Sequence, residues 1–181
     1  MKNNAHEYFA SQLSHHANIT EFEVLDALCY FCDFVENTNC STEIPTLVDL
    51  TRSYLHVLES KHGDDEFVRH TVAYGLGEFG YFIPRAEFAQ FLPKAIELIK
   101  SVAYAEDGFE EDNLEKTENS MGALLKLSYN HIDGTHLTKA DMVHVLNHMP
   151  FTEDEPECKV THRIFLEEVR KPNEHLASAE V

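Results

Sequence analysis

Val68-Arg69-His70-Thr71-Val72-Ala73-Tyr74-Gly75-Leu76-Gly77 is the stretch that decides the fold. Val68, Val72, Gly75 and Leu76, with Phe79 just beyond, recur at intervals of three and four, which align one face of an α-helix. Moving outward, Phe88, Phe91, Leu92, Ala95, Ile96 and Ile99 keep that spacing. So do Val24, Leu28, Phe31 and Val35, and Leu47, Leu50, Tyr54 and Leu58. Alternation of period two never lasts long enough for a sheet, so the chain reads as all-α. With only 7 Gly and 6 Pro in 181 residues, long helices are permitted.

The pattern predicts helices near 21–36, 43–61, 65–81, 86–104, 114–130, 138–148 and 157–170, and a further short one in His6–His15. Thr20 with Glu23, and Thr152 with Glu155, have the spacing of capping boxes, and Pro156 suits a first helical turn. Polar or turn-rich breaks stand at Asn37–Ser41, His62–Asp64, Tyr81–Pro84 and Asn130–Thr135. Residues 1–20 read as a polar leading segment, 21–171 as one array, and 172–181 as a frayed tail.

The helices fall into pairs. First helices start alike at Val24, Val68, Thr117 and Cys158, at spacings of 44, 49 and 41 residues (24 to 68, 68 to 117, 117 to 158). This brackets the roughly 40–47 residues of a HEAT or armadillo unit. Second helices echo one another in Ile44-Pro45 and Leu92-Pro93. A lone pair cannot bury both its apolar faces, so the expected fold is an α-solenoid of about three to four helix pairs, an armadillo-like superhelix. Its repeats fall near 21–61, 65–104, 114–148 and, in part, 157–171.

Formal net charge is −18, which repels phosphate backbones and argues against nucleic acid as a partner. No apolar run nears the ~18 residues of a membrane span, and Met1–Asn18 lacks the apolar region of a secretory signal. Both point to a soluble protein inside the cell. Cys29 and Cys32 form a C-x-x-C inside an apolar helix with no second pair, so they read as buried thiols rather than a zinc or redox site. His144 and His148 share a predicted helix face, but Val145 stands where a zincin needs Glu, and the pair reads as a surface feature. A calcium loop around Asp133-Gly134 would put Tyr129 and Ala140 where carboxylates are required. Gly75-Leu76-Gly77 lacks the Lys-Ser/Thr of a phosphate loop, and its small residues suit close helix approach. No catalytic residue, metal or cofactor is expected, and the chain reads as a non-enzyme.

These segments carry a resemblance. Val68–Gly77 resembles a HEAT first helix of the karyopherin-β (importin-β) superfamily, and Leu92-Pro93-Lys94-Ala95-Ile96-Glu97-Leu98-Ile99 resembles its partner helix. Lys116-Thr117-Glu118-Asn119-Ser120 through Leu127, Leu28–Glu36, and His144–Pro150 with its following acidic turn are similar to the importin-5 (Ran-binding protein 5) branch. The last departs from the family in having no Trp. The resemblance spans about Glu21–Lys171 and corresponds to repeats in the C-terminal part of a longer carrier. It implies a segment of a nuclear transport receptor that binds protein cargo for Ran-dependent import. Ran and nucleoporins would be partners of the whole carrier, which works in both cytoplasm and nucleus. The alternative is a HEAT scaffold that assembles a complex unrelated to transport.

Charge suggests where cargo would bind. The connection Ala105–Asn113 is densely acidic, and Glu106, Asp107, Glu110, Glu111 and Asp112 would draw a basic protein segment. Phe109 among them either docks on the partner or folds back on the helices. Second helices line the concave face of such solenoids, which makes Asp49 and Glu97 secondary candidates.

Overall fold

The computed structural model describes residues 20–36 and 43–170, and among them every regular element is helical. The order is α1 (Glu21–Glu36), α2 (Ile44–Val57), α3 (Glu66–Phe82), α4 (Arg85–Phe88), α5 (Leu92–Ala103), α6 (Leu114–His131), α7 (Lys139–Asn147) and α8 (Glu155–Arg170). The expected helix in His6–His15, the frayed tail and Cys40 lie outside the described residues.

Local chemistry explains the boundaries. Thr20 and Glu23 form the predicted capping box: Thr20 N–H donates to Glu23 Oε2 at 2.8 Å, and Glu23 N–H to Thr20 Oγ1 at 3.3 Å. The helix expected over 43–61 stops at Val57. Consecutive turns follow, Glu59 N–H bonding the His56 carbonyl and Ser60 N–H that of Val57, while the Ser60 hydroxyl also takes the Val57 carbonyl. The helix expected over 86–104 is two pieces. Pro93 has no N–H to give to an upstream carbonyl, so it stands in the first turn of a new helix at Leu92. Thr152 is not the cap of α8. Asp154 Oδ1 accepts the Glu157 N–H at 3.2 Å, while the Thr152 N–H is drawn away to Glu118 Oε2 at 2.7 Å.

α3 and α6 form the most extensive helix contact, and the glycines of the opening stretch allow it. A Cβ on Gly77 would lie 2.4 Å from Ala123 Cβ and 2.7 Å from its Cα, so the backbones meet with no room for a side chain. Gly75 receives the Tyr54 ring, and Gly80 receives Leu127 and Phe88. From there packing follows chain order. α1 lies on α3, α3 on α6, and α6 on α8; α2 lies on α3, α5 on both α3 and α6, and α7 on α6. The core is one continuous apolar cluster from Val24 through Leu76 and Leu124 to Cys158. Cys32 is in that core, accompanied by Tyr54, whose hydroxyl donates to the Leu28 carbonyl at 2.5 Å. Cys29 is not buried as expected: three residues along the same helix, it falls on the outer face and is exposed.

Candidate functional site

The acidic connection is folded as a succession of tight turns. Gly108 N–H bonds the Ala105 carbonyl (3.0 Å), Glu110 N–H that of Asp107 (3.0 Å), and Asn113 N–H that of Glu110 (2.9 Å). With the backbone satisfied locally, Glu106, Asp107, Glu110, Glu111 and Asp112 are all left exposed. Gly108 alone turns inward, where an added Cβ would stand 2.7 Å from Thr117 Oγ1. The structure therefore brings five of the expected acidic residues together on one short segment.

Phe109 folds back, the second of the two alternatives foreseen for it. Its ring stacks on His148 at the C-terminal end of α7, centroids 4.6 Å apart and planes 18° from parallel, yet it stays 50% exposed. The stack continues, His148 meeting His144 at 4.6 Å and His144 meeting Tyr104 at 4.4 Å. His144 and His148, read from the sequence as a surface pair, are each half-buried between aromatic rings. Burial, and then the neighbouring His148, push the His144 imidazole below its ordinary value, with Asp141 acting the other way. Tyr104 anchors the ladder by donating to Asp141 Oδ1 at 2.9 Å, and Lys100 Nζ reaches the same carboxylate oxygen at 2.8 Å. Burial first, and then the bond to Asp141, hold the Tyr104 phenol well above its usual range.

Asp49 on α2 and Glu97 on α5 are exposed but are not joined to this segment. Asp49 is held by Arg52 at 2.6 Å. Glu97 borders a shallow groove with Leu55, Leu58, Arg69, Lys94 and Leu98. The wall between α2 and α5 carries cations as well as carboxylates: Lys94 bonds Glu59 at 2.7 Å, and Arg52 faces the Phe91 ring at 6.0 Å. This mixed surface does not extend the acidic site.

The chemistry available is electrostatic and aromatic. Among the described residues no group of three or more His, Cys, Asp or Glu is placed to hold a metal. The Cys32 thiol, desolvated and hydrogen-bonded with Tyr54, is held far above its ordinary value and is a poor nucleophile.

No family model, curated protein or solved structure matches the chain.

Sequence reasoning overlooked a buried charged cluster. Lys126 on α6, 2% exposed, contacts Glu78 on α3 and lies 2.7 Å from Glu157 on α8. Thr161 donates to Glu157 Oε1 at 2.7 Å, the Tyr74 hydroxyl donates to Oε2 at 3.3 Å, and the Tyr74 ring lies 5.2 Å from Lys126 Nζ. Burial works against the charged amine, but the two carboxylates outweigh it and raise its pKa. The signal was present: Glu78 and Lys126 interrupt apolar runs at positions facing the core. The cluster joins α3, α6 and α8.

Proposed function

We propose that this chain is a HEAT-type α-solenoid segment of a nuclear transport receptor, and that it binds basic protein cargo through the Ala105–Asn113 connection. One observation supports the reading above others. Five exposed carboxylates stand on a turn-rich segment whose single aromatic, Phe109, is braced from behind by His148 and open on its other side. Carboxylates steer a Lys/Arg-rich segment inward, and an exposed aromatic face receives guanidinium or ammonium groups. The chain-order packing of α1, α3, α6 and α8 suits a stack of helix pairs, and the segments similar to karyopherin-β carriers include Leu28–Glu36 of α1, Val68–Gly77 of α3 and Lys116–Leu127 of α6. On this reading the whole carrier engages Ran and nucleoporins and moves between cytoplasm and nucleus.

The test uses an arginine- and lysine-rich peptide titrated into the protein by fluorescence anisotropy at low and high salt. Replacing the five carboxylates with Asn or Gln lowers affinity by about tenfold or more, the equivalent of ~1.4 kcal/mol, and most of that difference disappears at high salt. Equal affinity of both proteins at low salt removes the segment from the mechanism. Release of bound basic protein by Ran-GTP favours the transport role. A stable partner insensitive to both salt and Ran-GTP favours a scaffold.

A further inference from the structure

α6 starts without a side-chain cap. Asn113, in the capping position, turns its amide to the Asp107 carbonyl instead, at 3.3 Å. The first N–H groups of an 18-residue helix, and the positive end of its dipole, are therefore left without the acceptor a cap would supply. A cavity of about 350 Å³ lies at this helix end, bounded by α3, the end of α5 and the acidic connection.

Its lining is rich in donors that lack acceptors. Thr117 is 1% exposed, lines the cavity, and its hydroxyl makes no hydrogen bond with a described residue. This is unlike Thr51 and Thr71, whose hydroxyls donate to carbonyls four residues back. Arg69 has one bond, to Ser101 Oγ at 3.2 Å, and forms no ion pair with a described residue. Its guanidinium has five N–H groups, so most are unused. His70 Nε2 is buried without a partner, and burial, then nearby Lys116, pushes the imidazole down to about 4, so it faces the cavity uncharged. Lys116 completes the wall, held 2.5 Å from Glu66. Glu66 and Asp107 are the carboxylates on the lining, and Glu66 is already engaged by Lys116. A cationic ligand would meet Arg69 and Lys116 and find few free acceptors; an oxyanion would satisfy the helix end, the guanidinium and the buried hydroxyl together.

We infer that this cavity is a binding site for one phosphate-type oxyanion, held by Arg69, Thr117 and the first turn of α6, with Lys116 and His70 at its edge. The group is either free inorganic phosphate or the phosphorylated side chain of a bound peptide. It lies on the inner side of the same connection, sharing only Asp107 with the acidic face, and stands independently of the cargo reading.

The experiment is a titration of the ¹⁵N-labelled protein with inorganic phosphate, followed by amide shifts. Saturable shifts at Gly108, Lys116 and Thr117 are expected, with affinity reduced about tenfold in Arg69→Gln and severalfold in Thr117→Val, which keeps the side-chain shape. Arg163→Gln, on the exposed face of α8, leaves affinity unchanged. A phosphoserine peptide that displaces phosphate from these amides identifies the side-chain source; displacement failing while phosphate still binds identifies the free ion. Absence of saturable shifts at these three amides overturns the site, as does undiminished affinity in both cavity variants when each retains the parental amide spectrum.

Discussion

Lys126 sits where an apolar residue would continue the stripe Leu124, Leu125, Leu127, and its two partners come from helices far along the chain. A charge inside an apolar run is visible in sequence, but the carboxylate that neutralises it is chosen by packing, which is why the cluster escaped sequence reasoning. Lys126→Met leaves Glu78 and Glu157 facing each other without a cation and is expected to cost ~3–5 kcal/mol by denaturant unfolding. Adding Glu78→Gln to that variant recovers part of the loss. Because the folded pKa of Lys126 is raised, its stabilisation is present at neutral pH and lost only as pH rises beyond its unfolded value of 10.5. His70 acts in the opposite window. Its folded pKa lies at about 4 against 6.5, so the unfolded chain takes up a proton first and the fold weakens as pH falls from 6.5 toward 4. Facing it are Lys116, which disfavours the imidazolium, and Glu66, which favours it. His70→Asn should flatten the dependence of stability on pH in that range by an amount of order 2 kcal/mol, measured by urea melts at stepped pH. An unchanged slope would place the acid sensitivity elsewhere.

Helices were the most legible elements, because a 3–4 apolar spacing needs no knowledge of tertiary partners. The spacing placed α1 at 21–36, and the structure has Glu21–Glu36. Errors arose where two local solutions competed. Leu58 prolongs the apolar stripe of α2, yet the Ser60 hydroxyl and the following turns end that helix at Val57. Thr152 and Asp154 both stood within capping reach of α8, and Glu118, distant in sequence, claimed the Thr152 backbone. At the α3–α6 contact, Gly77→Ala forces a methyl group within 2.4 Å of Ala123 Cβ and 2.7 Å of backbone Cα, which no rotamer change relieves. A loss of ~1–3 kcal/mol is expected from thermal or denaturant unfolding, with Ala123→Gly restoring part of it in the double variant. Additive losses would mean the two residues do not limit the approach of these helices.

Across the described residues, α3 packs on α1, α6 on α3 and α8 on α6, while α2, α5 and α7 lie against this row. That all-helical frame was readable from patterning, and the acidic character of the connection from composition. The placement of Phe109 on His148 was not readable, because it depends on how the Ala105–Asn113 turns set this segment against the end of α7. The same geometry turns Glu106, Glu110, Glu111 and Asp112 away from the cavity at the uncapped start of α6, with Asp107 on its lining. If stability comes from nearest-neighbour contacts, it is graded along the stack rather than uniform. Native-state hydrogen exchange under low denaturant measures this directly. The account predicts the highest opening free energies in α3 and α6, with α1, α2 and α8 opening separately at lower ones. A single opening energy shared by α1, α3, α6 and α8 would contradict the stacked-pair account.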